Sequence, residues 1–132
     1  MPGHKILIID DDTDDVEILS EAFSQSGVES VYYTHSAMQA FIYLESIENK
    51  QDLPKLIVTD LYLPGITGAE FLTDLKKMEK YTHIHVIVLS SNKSASEIER
   101  YKQLGALDYL TKPSSYDEYI KVAKNIAEKV QE

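Results

Sequence analysis

Asp10 and Asp11 follow an apolar run at residues 5–9, and Asp60 follows Leu56–Thr59. Ser90 and Ser91 follow the run at 84–89, and Thr111-Lys112-Pro113 follows that at 107–110. If the runs are neighbouring strands, carboxylates, a hydroxyl and an ammonium meet at one edge. Carboxylates brought together disfavour one another's ionised form. A hard divalent cation relieves this, and Mg²⁺ suits a few carboxylates plus waters and a phosphoryl oxygen. A carboxylate can also attack phosphorus, forming an aspartyl-phosphate. The metal would neutralise charge on the transferring group. A lysine would do so from the other side, and a serine hydroxyl could donate one hydrogen bond.

The elements that must position these residues are legible in the pattern. The runs at 5–9, Val31–Thr34, Leu56–Thr59, 84–89 and 107–110 alternate with helix-like segments. Most are continuously apolar, as strands covered on both faces are. Val31-Tyr32-Tyr33-Thr34 is more polar and suits an edge. Ser36-x-x-Gln39, Thr67-x-x-Glu70, Ser94-x-x-Glu97 and Ser115-x-x-Glu118 fit the capping-box pattern, each a few residues after a strand. Asp12 or Thr13 can cap the first helix, with Asp14, Asp15 and Glu17 in its first turns, where the macrodipole favours negative charge. Apolar stripes run through Val16, Leu19 and Phe23, through Phe71, Leu72, Leu75 and Met78, and through Ile120, Ala123, Ile126, Ala127 and Val130. Gly27 and Gly105 fall at helix ends. Residues 48–54 form a polar loop. Strict alternation predicts an α/β fold, a parallel sheet with helices on both faces, and ligands outside the carboxyl ends of its strands.

Bulk properties narrow the function. A chain of 132 residues suits a single domain, 1–132, with its own core. The absence of cysteine excludes disulfides, thiolate zinc sites and cysteine nucleophiles. No apolar run approaches the roughly 20 residues that span a bilayer, and "MPGHKILIIDDD" is no secretory signal. A soluble cytoplasmic protein is expected. The net charge of −9 argues against a general nucleic-acid or anionic-membrane surface.

Together "ILIIDDD", "LIVTDLYLPGITG", "VIVLSS" and "GALDYLTKP" resemble the receiver domain of two-component response regulators, the CheY-like family, over nearly the whole chain. The resemblance implies a doubly wound five-stranded sheet in the order 2-1-3-4-5 with five helices. It implies Asp60 as phospho-acceptor, with Mg²⁺ held by Asp10, Asp11, Asp60 and the Tyr62 backbone carbonyl. Lys112 would pair with a carboxylate at rest and with the phosphoryl group afterwards, and the Lys112–Pro113 peptide would be cis. Ser90 and Tyr109 occupy the switch positions. The Ser90 hydroxyl would move to the phosphoryl group and the Tyr109 ring would rotate inward, changing the surface over helix four, strand five and helix five. The partners implied are a histidine kinase or phosphotransfer protein and a downstream protein target, with the chain a monomer or a phosphorylation-dependent homodimer. No output domain is expected after the fifth helix, which uses residues 125–132. The loop before Pro54 with "LPKLIVTDLYLPG" also resembles single-domain receivers that partner phytochrome-type or hybrid kinases.

A small Mg²⁺-dependent phosphatase of the haloacid dehalogenase type also uses an aspartyl nucleophile, but wants a second Asp where Tyr62 stands. A flavodoxin-like binding protein needs a phosphate cradle where "DDDTDD" would repel phosphate. Asp12, Asp14 and Asp15 read as a solvated helix start with no ligand role. His83 and His85, alternating along the fourth strand, lack a third ligand for a metal. Tyr101 and Tyr119 are candidates for a partner surface. Tyr62 and Asn92 flank the route of an attacking water, so Tyr62 is expected to shield the phosphoryl group.

Overall fold

A computed structural model describes residues 5–28 and 30–130, with the Val130 side chain excepted. The Val130 side chain of the last apolar stripe and residues 131–132 of the expected fifth helix therefore lie outside the described residues. Strands β1 (Ile6–Ile9), β2 (Val31–Thr34), β3 (Leu56–Thr59), β4 (His85–Ser90) and β5 (Asp108–Thr111) alternate with helices. These are α1 (Thr13–Gln25), α2 (Ala37–Glu45), α3 (Gly68–Lys77), α4 (Ala95–Gln103) and α5 (Tyr116–Val130). All pairings are parallel, in the order β2-β1-β3-β4-β5, with the polar β2 at an edge as its composition predicts. The polar loop holds a short 3₁₀ turn at Lys50–Asp52.

Alternate residues of a strand face opposite sides of the sheet, so each central strand feeds two apolar layers. Leu7 and Ile9 of β1 pack with Leu44, Phe71 and Leu75 beneath α2, α3 and α4. Ile6 and Ile8 pack with Leu19, Phe23 and Ile126 beneath α1 and α5. Every residue of β1 and β3 is buried, which accounts for their unbroken apolar runs. Full burial of such side chains contributes about 1.5–3 kcal/mol each.

Several boundaries differ from the sequence reading. β4 and β5 each begin one residue late, and the Ile84 N–H is taken by the Tyr81 carbonyl (3.0 Å) in the turn ahead of β4. His83 consequently sits in that turn, and only His85 lies on the strand. Met78 follows the last residue of α3 and is 40% exposed, so the α3 stripe ends at Leu75. Tyr101 and Tyr119 are buried core residues, not partner-surface residues, because their rings lie on the inward faces of α4 and α5.

The helix starts follow their caps unevenly. Asp12 accepts from the N–H groups of Asp14 and Asp15. Thr67 and Glu70 complete the reciprocal box. Ser36 accepts from the Gln39 N–H, but Gln39 reaches back to the His35 N–H instead. Ser115 accepts from the Glu118 N–H (3.3 Å). Ser94 makes no cap bond; its own N–H is held by Asn92 Oδ1 (2.8 Å). Gly27 and Gly105 have positive φ, as their places at helix ends predict.

Gly68 opens α3 against the loop that follows β3. Its N–H donates to the Leu61 carbonyl (3.1 Å), and an added Cβ would lie 2.9 Å from the Asp60 carbonyl oxygen. Both neighbours are backbone, so one element must shift. Gly68→Ala is expected to destabilise the fold by about 1–3 kcal/mol, read from denaturant unfolding. An unchanged midpoint would show that the loop relaxes freely.

Candidate functional site: an acidic hollow at the carboxyl edge of the sheet

The sheet delivers the five strand ends to one edge, and the order reverses between β1 and β3. Asp10 directly follows β1, Asp60 directly follows β3, Ser90 is the last residue of β4, and Lys112 directly follows β5. The Asp60 N–H donates to the Ile9 carbonyl (2.9 Å) and the Lys112 N–H to the Ser90 carbonyl (2.8 Å), continuing the ladders into the site. Asp10, Asp60 and Ser90 are buried.

One ammonium organises the hollow. Lys112 Nζ lies 2.9 Å from Asp10 Oδ2, 3.0 Å from Asp60 Oδ2 and 2.7 Å from Asp15 Oδ2. Burial alone would lower the Lys112 pKa, but its hydrogen bonds to Asp15, Asp10 and Asp60 outweigh that and hold it above the ordinary lysine range. The Asp10 pKa is raised as well, which for a carboxyl disfavours the charged form. Burial raises its carboxyl above the ordinary value, against the opposing hydrogen bonds of the Asp12 N–H (3.0 Å) and Lys112. Asp60 Oδ1 accepts the Leu61 N–H at 2.6 Å, which fixes the plane of its carboxylate.

Asp10, Asp11 and Asp60 each turn a carboxylate oxygen into a space where these atoms lie within 4.8 Å of one another, with Asp11 on the solvent side. Hard oxygen donors at that spacing fit a small divalent cation that keeps several waters. Three mutually repelling carboxylates with a single lysine between them also leave net negative charge for a cation to neutralise. Among the described residues this is the one group able to hold a metal, and neither His83 nor His85 belongs to it.

The β4–α4 loop closes the hollow through Asn92. Its N–H donates to Ser90 Oγ (3.2 Å), its carbonyl accepts the Tyr109 hydroxyl (2.7 Å), and its Nδ2 donates to the Tyr62 hydroxyl (2.8 Å). Tyr62, 61% exposed, and Asn92 thus bridge the mouth between the β3 and β4 ends. The Tyr109 ring is already buried, edge-on to Tyr101 at 6.0 Å, so inward is its position in this structure. Burial raises its phenol pKa, which keeps the donating proton in place. No cis peptide occurs among the described residues, so Lys112–Pro113 is trans, the form an X–Pro bond favours.

Asp15 was missed in the sequence reading. A carboxylate in the first turn of a helix needs no further reason, so its composition signal is already spent on the macrodipole. The signal that could have found it is geometric. The Asp12 cap turns the chain so that the third residue beyond it faces back over the strand ends.

The comparisons agree with this architecture. Residues 6–124 match the family described as "Response regulator receiver domain". The chain is 32% identical over 126 residues to the two-component response regulator ORR8 of Oryza sativa subsp. indica, covering 96% of this chain and 100% of that protein. It is 31% identical over 118 residues to sporulation initiation phosphotransferase F of Bacillus subtilis, covering 89% of each. Among solved structures, the phosphorylated cyanobacterial phytochrome response regulator RcpA superposes with a TM-score of 0.84 at 28% identity, over 98% of this chain and 94% of that one. The chain belongs to the receiver-domain family of two-component response regulators.

The raised Asp10 pKa has a consequence for stability. Ionisation is harder in the fold than in the unfolded chain, so the Asp10 contribution is most favourable below 3.8 and is lost as pH rises through the folded value. Asp10→Asn is therefore expected to raise the unfolding temperature of metal-free protein at pH ~7, with the gain shrinking on acidification. A lower midpoint at neutral pH would contradict the assignment of burial as the dominant effect.

Proposed function

We propose that this protein is a phosphorylation-activated switch whose phospho-acceptor is Asp60. The observation that carries the reading is the Lys112 ammonium held at 3.0 Å from Asp60 and 2.9 Å from Asp10 beside a three-carboxylate hollow. The donor is a histidine kinase or a phosphotransfer protein. An Asp60 carboxylate oxygen attacks phosphorus, the bond from phosphorus to the donor imidazole nitrogen breaks, and its electron pair stays on that nitrogen. Asp10, Asp11, Asp60 and the Tyr62 backbone carbonyl are the residues that would hold Mg²⁺. When bound, it supplies neutralisation of charge on the transferring group. Lys112 neutralises the same oxygens from the β5 side.

Signalling proceeds through Ser90. Ser90 is buried and its hydroxyl oxygen accepts the Asn92 N–H, so turning that hydroxyl to donate to a phosphoryl oxygen moves the atom on which the β4–α4 loop rests. The Tyr109 hydroxyl on the Asn92 carbonyl ties that loop to β5. A local charge change thereby biases the α4–β5–α5 surface, which meets a downstream protein. The protein catalyses only its own phosphoryl transfer and dephosphorylation. It works in the cytoplasm, without nucleic-acid or membrane contact, as a monomer or a phosphorylation-dependent homodimer. Turnover of small phosphate esters is disfavoured because Tyr62, not an acid, stands two residues after Asp60.

Acetyl phosphate with Mg²⁺ is expected to add one phosphoryl group per chain by mass spectrometry, and Asp60→Asn to abolish it. A phosphoryl group persisting in that variant would move the acceptor elsewhere. The Tyr62–Asn92 bridge also screens the hollow from water. Tyr62→Gly is expected to speed hydrolysis of the acyl phosphate by roughly fivefold, about 1 kcal/mol of barrier. An unchanged lifetime would remove the shielding role.

A further inference from the structure

Lys112 carries three N–H donors, and all of them have carboxylate partners before any phosphoryl group arrives. Phosphorylation of Asp60 hands its donor to the phosphoryl group, and the ammonium can follow that group outward only if its remaining carboxylate contacts yield. Asp10 and Asp60 are the buried partners, with side chains 8% and 11% exposed, and Asp60 is the group being modified. Asp15 is the outer partner, 27% exposed, yet it makes the shortest contact at 2.7 Å. Its own position is fixed, because its N–H is part of the Asp12 cap. Behind it stands Tyr119 of α5, buried in the layer that joins α1 to α5. Burial first, then the Asp15 charge, raises the phenol pKa to about 12, with an Asp15 side-chain hydrogen bond acting in the same direction, so the phenol keeps its proton facing that carboxylate.

We infer that Asp15 is a positioning residue that holds Lys112 in its resting place against the phosphoryl group, and that its release passes the event through Tyr119 to α5. This rests on Asp60 as acceptor, the reading given above. Two consequences of opposite sign follow. Removing the Asp15 charge frees Lys112 and takes a like charge away from the incoming anion. Removing the Tyr119 hydroxyl leaves the Asp15 carboxylate with a stronger hold on Lys112.

The test is the rate of Mg²⁺-dependent labelling by acetyl phosphate, with ring resonances of Tyr119 followed by NMR. Asp15→Asn is expected to label about threefold to tenfold faster, the effect of one partly exposed charged contact. Asp15→Ser should act in the same direction, so the result does not depend on one variant. Tyr119→Phe is expected to label more slowly. In the unsubstituted protein the Tyr119 resonances should move on phosphorylation, and in Asp15→Asn that movement should be lost. Labelling of Asp15→Asn at the original rate, a change of the same sign in both variants, or a Tyr119 response that persists without Asp15 would each overturn the inference. Asp60→Asn is run beside them. Its labelling would overturn the acceptor assignment instead, so the two failures are distinguishable.

Discussion

A lysine held among carboxylates at the end of a buried sheet is the constraint on which the rest of this structure depends. Ionised acids repel one another, and burial makes the repulsion harder to screen. Lys112 makes the cluster of Asp10, Asp15 and Asp60 tolerable in a fold whose charge is already −9. It balances only part of that negative charge. The remainder is negative charge that a cation would neutralise.

The scaffold makes this possible because its interior strands are apolar on both faces. Isoleucine, leucine and valine side chains fix β1 and β3 between two helical layers, and the chain reaches polar residues only where each strand ends. Backbone ladders continue one step past the strands, through the Asp60 and Lys112 N–H groups, so the functional residues inherit the rigidity of the sheet. Gly68 then lets α3 approach the Asp60 backbone more closely than any side chain would permit. The β4–α4 loop, by contrast, is held by side-chain hydrogen bonds and not by the sheet ladder. There Asn92 spans Ser90, Tyr62 and Tyr109 with hydrogen bonds that can be exchanged.

Much of this was legible in the residues themselves. Continuous apolar runs, capping signals and carboxylates at run ends were enough to foresee the sheet and the meeting of Asp10, Asp60, Ser90 and Lys112 at one edge. What escaped reading depended on tertiary direction. Tyr101 and Tyr119 looked like surface aromatics, since a phenol suits either environment, and only the rotation of α4 and α5 decides. Ser94 matched a capping pattern, but Asn92 two residues earlier competes for the same turn. Asp15 was hidden among acids that the helix dipole already explained. Spacing along the chain does not reveal which of several neighbouring carboxylates reaches a lysine 97 residues away.

The central claim is that these acids form one cation-binding hollow shared with Lys112. A Mg²⁺ titration followed by amide NMR tests it most directly. The account predicts a single saturable site, with resonances of Asp10, Asp11, Asp60 and Lys112 shifting together along one binding curve. Absence of saturable binding, or shifts that gather around other residues while these stay still, would contradict it.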